Sequence, residues 1–443
     1  MKLYNSAVYL MRKPFTVKGV QSMNKQSLAE ARQEVLYTLQ KKIIPFWLKR
    51  SIDQEYGGYL TSFNQEGMWG GNDAKYLVTQ SRMLWGFSQL SIFAEDSQKE
   101  EMKYAADQGF HFIVRHFWDT KYGGFFWQVH RDGTAADSSK LTYGESFAIY
   151  ALSEYALRYQ NQEALDYAEK TFELLQLYAA DTKYGGYYEN LEADWSVSQG
   201  GAWAGDRKSL DIHMHLMEAF TTLYEATGKE IHRRKLEESI GLILDHMVNT
   251  EIGYGYNQFD LQFRKIPAIN IMRTWNAERE TNKTIDIPTD TTSYGHNVEL
   301  SWLLDHAYKI MGGEAEDPAL LQKLLDHSLQ YGYDYQYGGV YRDGIADKEV
   351  LVTDKEWWQN FESLVGYLNG YVKYRDEKYW KAFIMTWEFV KNKFMNMEVG
   401  ESRQLLDRSG QPIVSNMGNP WKGIYHTGRA LGECIKRFHV LMQ

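Results

Sequence analysis

Four segments of the chain share one pattern: Tyr56-Gly57-Gly58-Tyr59, Tyr122-Gly123-Gly124-Phe125, Tyr184-Gly185-Gly186-Tyr187 and Tyr337-Gly338-Gly339-Val340. A weaker copy is Gly253-Tyr254-Gly255-Tyr256, and a degenerate sixth sits near Val399-Gly400-Glu401. Tyrosines 56, 122, 184, 254 and 337 are spaced by 66, 62, 70 and 83 residues, a long internal period. Glycine pairs flanked by aromatics suit tight turns and short β-hairpins.

Between these segments the apolar pattern becomes helical. Residues 27–49 place apolar side chains at i, i+3, i+4 and i+7. Similar stretches cover roughly 72–95, 98–116, 138–158, 162–178, 207–227 and 229–249, then roughly 292–311, 316–331, 355–374, 377–395 and 420–440. Twelve helices in six pairs are predicted. Each pair needs a neighbour to bury its apolar faces. An open solenoid of helices would satisfy that need, but common helical repeats are shorter, ~34–47 residues. The expectation is therefore an all-α fold, a closed (α/α)6 barrel with short β-hairpins in its connecting loops.

Only 7 prolines interrupt the 443 residues, and no Ser/Pro-rich linker divides them. The reading is one catalytic domain over 26–443, preceded by a loose extension over 1–25. That extension carries Lys2, Arg12, Lys13 and Lys18 without the apolar run of a signal peptide. No window approaches ~18 apolar residues, so no membrane span is expected. A net charge of −9 without a basic patch argues against nucleic acid. Cys434 is the one cysteine, which excludes an internal disulfide and a zinc site built on several thiolates, and fits a reducing cytoplasm. Aromatics make up 15 % of the chain. They can fill a helical core or offer stacking faces to a sugar. In the second case the partner is a small sugar, taken by a monomer or homodimer.

The residues that carry chemistry fall on alternate helices: Arg82 on the second, Tyr143 on the fourth, Asp211, His213 and His215 on the sixth, His296 and Glu299 on the eighth, Trp357 and Trp358 on the tenth, Trp421 and His426 on the twelfth. If these even helices form the inner ring, their polar starts converge at one mouth. Asp211 and His215 are i, i+4 and share a helix face, as do His296 and Glu299 at i, i+3. His213 lies only two residues from His215 and should point elsewhere, as a packed structural histidine.

A zinc site on His215, His296, His426 and Glu299 is disfavoured, because no HxxxH or HExxH pair exists among them and Arg82 repels a cation. Paired carboxylates for glycoside hydrolysis would come from Asp211, Glu299 and Glu145, but would leave the histidines without a role. Histidines near neutral pKa suit proton transfer beside a carbonyl, and arginine suits the oxygens of an enediolate. No cofactor and no metal are expected.

The segments QSRMLWGFS (80–88), KLTYGESFAIYALSEY (140–155), HMHLMEAF (213–220), SYGHNVELSWLL (293–304), KEWWQNFESLVGYLN (355–369) and PWKGIYHTGRA (420–430) together resemble the N-acylglucosamine 2-epimerase superfamily, within it the cellobiose 2-epimerases and mannose 2-epimerases. The resemblance spans about 27–440 and implies an (α/α)6 barrel. It implies that His296 and His426 are the acid/base pair, that His215 assists ring opening and holds the anomeric oxygen, and that Glu299 supports ring opening. Arg82 would stabilise the enediolate and Tyr143 would contact the sugar. Trp357, Trp358 and Trp421 would be stacking walls, with Trp358 preferred over Trp357 as the cleft face.

Two features depart from the cellobiose-acting pattern. Asp211 stands where many such members have Asn, and contact with it would raise the pKa of His215. The step from His215 to His296 is 81 residues, against 61 to 72 for the other inner steps, with the excess in 251–291 around Phe259, Arg264, Arg273 and Trp275. The mannose-acting members carry a longer segment here that can cover the cleft, which favours a monosaccharide. The expected activity is reversible C2 epimerisation of D-mannose and D-glucose. A cellobiose 2-epimerase is the nearest alternative, followed by an aldose–ketose isomerase such as a mannose isomerase. A glycoside hydrolase or a sugar-binding barrel is the alternative of a different class.

Overall fold

A computed structural model describes residues 23–72, 74–199, 205–269 and 288–443. Most of the N-terminal extension and the middle of the 251–291 segment, including Arg273 and Trp275, lie outside the described residues.

The described residues form twelve helical rods. The first, α1, spans Lys25–Thr38, widens through one π turn at Leu39–Ile43 and continues over Ile44–Arg50. The others are α2 (Leu77–Gln89), α3 (Asp96–Phe112), α4 (Thr142–Tyr159), α5 (Gln162–Leu174), α6 (Leu210–Thr227), α7 (Glu230–Leu242), α8 (Tyr294–Ile310), α9 (Pro318–His327), α10 (Trp357–Tyr374), α11 (Glu377–Phe389) and α12 (Ile424–Met442). Odd rods are amphipathic: α5 buries Ala164, Ala168, Thr171 and Phe172 along one stripe. Even rods are buried nearly all round, as in α2, where every residue from Leu77 to Ser88 is inside. That contrast makes the even rods an inner ring and the odd rods its outer wall. The ring closes, because α2, α4, α6, α8, α10 and α12 contact one another in order and α12 packs back on α2. The fold is the (α/α)6 barrel that the repeat predicted, not an open solenoid.

Each outer rod leads into an aromatic–glycine turn with constant register. Ile52 bridges Tyr59, Trp118 bridges Phe125, Ala180 bridges Tyr187 and Tyr333 bridges Val340. Val248 pairs with Gly255, and Met395 with Ser402, so the weak fourth and sixth copies are real. The glycines are required sterically. Gly186 has φ of +74°, and a Cβ there would lie 2.7 Å from His213 Nε2.

The inner helices start later than periodicity suggested. Ala74–Tyr76, Lys140–Leu141, Arg207–Ser209, Thr291–Ser293 and Lys355–Glu356 are short strands. Each pairs antiparallel with a strand of the following repeat, for example Lys75 with Val129 and Lys140 with Leu191. A lysine two residues before five of the six inner helices explains why. Lys75 meets Asp53 at 2.9 Å, Lys140 meets Asp119 at 2.8 Å, Lys208 meets Asp181 at 2.8 Å, Lys355 meets Asp334 at 3.0 Å and Lys422 meets Glu401 at 3.2 Å. A buried ammonium must keep a carboxylate partner, so this residue cannot rotate out on a helical turn. The fourth repeat has the neutral Asn249 and Thr292 in these places.

The fourth residue of the first five inner helices completes the junction. Gln80, Glu145, His213, Asn297 and Asn360 accept the N–H of Tyr59, Phe125, Tyr187, Gly255 and Val340 respectively. His213 is therefore structural, as its spacing indicated. It accepts through Nε2, so its Nδ1–H donates to the Ser209 carbonyl at 2.9 Å.

Glu145 is the one acid at this position. Burial pushes its carboxyl up to about 8, against the opposing Phe125 N–H and Lys140. An unfolded glutamate ionises near ~4.5, so the unfolded state gains from ionising as pH rises from there to about 8, and the native state loses stability over that window. Glu145→Gln should therefore raise the thermal midpoint, by the equivalent of about 3 kcal/mol at pH 7. The gain should vanish near pH 4. Equal midpoints at pH 8 would show that the glutamate is already ionised without penalty.

Candidate active site

The second or third residue of an inner helix and its sixth residue face the barrel axis at two levels. The upper level holds Tyr143, Asp211, His296, Trp358 and His426. The lower level holds Arg82, Phe147, His215, Glu299, Glu362 and Arg429. All ten residues singled out from the sequence, Arg82, Tyr143, Asp211, His215, His296, Glu299, Trp357, Trp358, Trp421 and His426, line one cavity of 250 Å3 at this mouth. Arg342, Glu356 and Gln404 complete its wall. The cavity adjoins a wider groove of 830 Å3 that shares Tyr143, Asp211, His296 and Trp421 and extends along Trp127 and Asn190.

His215 is held at both nitrogens by carboxylates. Its Nδ1 lies 2.9 Å from Glu218 Oε2 and its Nε2 lies 3.3 Å from Asp211 Oδ1. Burial opposes a charge on the ring, but the hydrogen bonds to Asp211 and Glu218 outweigh it and raise its pKa to about 9. His215 is thus an imidazolium at neutral pH, as contact with Asp211 implied. Asp211 Oδ1 also lies 3.5 Å from His296 Nε2, so one carboxylate bridges two histidines. Burial works against its charge, yet His296 and His215 hold its pKa far below the carboxylate range. Ser293 caps α8 by accepting the His296 N–H at 3.4 Å, which fixes the backbone at that residue.

His426 sits in the opposite electrostatic setting. Burial first, then Arg82 and Arg429, hold it well below the ordinary histidine range, so it is uncharged. Its Nδ1 lies 2.9 Å from Glu362 Oε1, which already accepts from Arg429 Nε at 3.1 Å. An oxygen that accepts from arginine takes a third donor, so the proton of His426 is on Nδ1 and the lone pair is on Nε2.

Trp358 touches both of these histidines, with ring centroids 4.6 Å from His296 and 5.7 Å from His426. Its indole N–H donates to Glu356 at 2.6 Å, which sets the ring plane. Trp357 also reaches the cavity but is 4 % exposed and packs edge-on to His426. Trp421 is 42 % exposed and forms the rim with Tyr76, Trp127 and Tyr143.

Arg82 donates from Nη1 to the Trp421 carbonyl at 2.9 Å and from Nη2 to the Tyr143 hydroxyl at 2.8 Å. Its Nε has no partner among the described residues. Burial pushes the Tyr143 hydroxyl well above its usual range despite Arg82, so it remains a neutral donor.

Sequence reasoning missed Glu218, Glu362 and Arg429. Glu362 and Arg429 occupy the same sixth position as Arg82, His215 and Glu299. Alignment of the repeats by their helix starts finds them, but those starts are visible only once the lysine strands are excluded from the helices.

Glu299, Glu362 and His426 each offer a ligand atom within 4.8 Å of the others. The buried Arg429 guanidinium takes the place a cation would need there, since Nη2 pairs with Glu299 Oε1 and lies 2.7 Å from Glu362 Oε1. Both ring nitrogens of His215 are likewise engaged.

The family profile of N-acylglucosamine 2-epimerase (GlcNAc 2-epimerase) matches residues 58–430. The cellobiose 2-epimerase of Dictyoglomus turgidum is 29 % identical over 421 residues, covering 92 % of this chain and 98 % of its own. The D-mannose isomerase of Marinomonas mediterranea is 26 % identical over 407 residues, covering 89 % of this chain and 95 % of its own. The solved structure of cellobiose 2-epimerase from Spirochaeta thermophila superposes with a TM-score of 0.81 at 26 % identity, covering 95 % of this chain and 99 % of that one. Family profile, whole-chain relatives and barrel agree: the chain belongs to the N-acylglucosamine 2-epimerase family and is an enzyme of the carbohydrate epimerase and isomerase class.

Proposed function

We propose that the enzyme inverts aldoses at C2, interconverting D-mannose and D-glucose, with His296 and His426 as the two bases. The observation that carries this reading is the pair of histidines from different inner helices on one cavity, both against Trp358, with His426 uncharged and its Nε2 lone pair free of Glu362. Inversion needs one group to take the C2 proton and another to return one to the opposite face. Between those steps the substrate is a planar cis-enediolate whose negative oxygens need donors.

Arg82 supplies that charge, and its unpartnered Nε leaves donor capacity for a sugar oxygen. His215, as an imidazolium, holds the anomeric oxygen and gives its proton to the ring oxygen as the C1–O5 bond breaks, and the neutral ring it leaves takes the proton of the anomeric hydroxyl, so the sugar opens with no net proton change. Glu299, whose Oε2 has no partner among the described residues, supports that step. Tyr143 donates to a hydroxyl, and Trp358, Trp357 and Trp421 give apolar walls to the sugar's C–H faces. The carbonyl that forms on ring opening acidifies the C2 proton, so the chain's own residues suffice for the proton transfers.

Asp211 supports the monosaccharide preference by departing from the Asn of the cellobiose-acting pattern, since it places a carboxylate between His215 and His296. A second reading, a disaccharide 2-epimerase, is favoured by the 830 Å3 groove that continues past Trp127 and Trp421.

Incubation with mannose, glucose and cellobiose in D2O, followed by proton NMR, distinguishes these readings. Glucose formed from mannose and deuterated at C2 is expected. Fructose as the main product would make the enzyme an aldose–ketose isomerase, and free glucose from cellobiose a hydrolase. His296→Ala and His426→Ala should each lower kcat by at least ~10²–10⁴-fold. Near-normal turnover in either would end the two-base mechanism. EDTA should leave the rate unchanged, whereas loss restored by a divalent ion would require a metal.

The pH profile follows from the two charge states. With His426 neutral down to well below pH 6.5 and His215 protonated up to about 9, kcat/KM should fall on its alkaline side near 9. Asp211→Asn removes one anion from His215, so its pKa drops and the alkaline limb should move down by ~1 unit or more. A limb that stays near 9 would detach it from His215.

A further inference from the structure

One buried cation stands behind both histidines of known charge. Arg429 is 1 % exposed, lies on the sixth position of α12 and is absent from the cavity wall. Its Nη1 donates to Glu218 Oε1 and its Nη2 to Glu299 Oε1. Its Nη2 and Nε both reach Glu362 Oε1, at 2.7 and 3.1 Å. Glu218 in turn holds His215 Nδ1, and Glu362 holds His426 Nδ1, each at 2.9 Å. The Tyr425 hydroxyl donates to Glu218 at 2.9 Å and completes that carboxylate's shell.

We propose that Arg429 is a positioning residue for the reaction, a single guanidinium that clamps Glu218 onto His215 and Glu362 onto His426 and so fixes both rings, while its own charge bears on His426. The inference rests on the proposed roles of His215 and His426 for its kinetic consequence, but not for the clamp itself.

The geometry requires an arginine. Its planar fork presents five donors, enough to serve three carboxylates on different helices, whereas a lysine ammonium is a point charge with three. Partners that orient a working histidine select its tautomer and tune its basicity. Here the two partners have unlike effects. Glu218 shares the Arg429 charge but still favours an imidazolium at His215, because Asp211 from α6 and Glu299 from α8 add negative charge on that side. At His426, the groups facing the ring are Arg82 from α2, His215 from α6, His296 from α8, Glu362 from α10 and Arg429 from α12, and burial together with the cations outweighs Glu362. Burial, opposed by Arg429, also pushes the Glu362 carboxyl up to about 8, with Glu299 adding to the rise. Glu362 therefore offers His426 an acceptor with little charge. Without Arg429 the histidine would lose a repelling cation and the carboxylate its anchor.

The test is a 15N-histidine NMR titration of the full-length enzyme beside steady-state kinetics, in wild type, Arg429→Met and Arg429→Lys, with resonances assigned through His→Gln variants. In Arg429→Met the protonation midpoint of His426 should rise by about one unit or more. Its acid limb in kcat/KM should move up with it, and kcat should fall at least tenfold while KM stays within a few-fold. Arg429→Lys keeps the buried charge without the fork. It should hold the His426 midpoint near wild type, recover only part of kcat, and lose the Nδ1–H resonance that reports the Glu362 contact. Unchanged midpoints in a folded Arg429→Met protein overturn the proposal. If that variant does not fold, a wild-type Nδ1–H resonance and wild-type kcat in Arg429→Lys overturn it equally. The NMR arm needs no turnover, so an enzyme inert toward mannose and cellobiose with shifted histidines would retire the epimerase reading and leave the clamp standing.

Discussion

Five of the six inner helices of this barrel begin where a buried charge is neutralised. Five lysines sit two residues ahead of an inner helix, each on a carboxylate of the preceding aromatic–glycine turn. The pair welds an outer rod, through its turn, to the start of the next inner rod. A buried ammonium without its partner is strongly unfavourable, so the start of the helix cannot slide along the axis. Side-chain acceptors at the fourth helical residue tie the turn by one more hydrogen bond in five of the repeats. The helix starts are thereby level around the ring.

Level starts turn sequence position into depth. The second and third residues reach the mouth, and the sixth lie one turn below. The upper level places His296, His426 and Trp358 around the cavity, and the lower level holds Arg82, His215, Glu299, Glu362 and Arg429. A residue's chemistry is thus decided by its type and its count from the helix start. His213 and His215 differ by only two positions, yet one braces a backbone turn and the other carries a charge in the cavity.

The two levels together create an electrostatic contrast. Asp211 and Glu218 surround His215, while Arg82 and Arg429 bear on His426. The first ring is held as an imidazolium and the second as a neutral base, within one enclosed volume where charges are weakly screened. Such a contrast allows acid and base chemistry at a single pH.

The sequence by itself determined the twelve-helix barrel, because a repeated glycine turn and helical periodicity are local signals that survive without the fold. It also pointed to ten of the thirteen cavity residues, through alternation of chemical side chains on even helices and resemblance to a known superfamily. It did not reveal the short strands, since Lys140 and Lys355 continue a helical apolar pattern and only their distant partners Asp119 and Asp334 make them extended. It did not reveal Glu218, Glu362 or Arg429 as one unit either. Their shared role depends on contacts between α6, α8, α10 and α12 across as many as 211 residues of chain. Only ring closure brings those carboxylates onto one guanidinium, and the charge state of each histidine is a property of that enclosure rather than of the residues on its own helix.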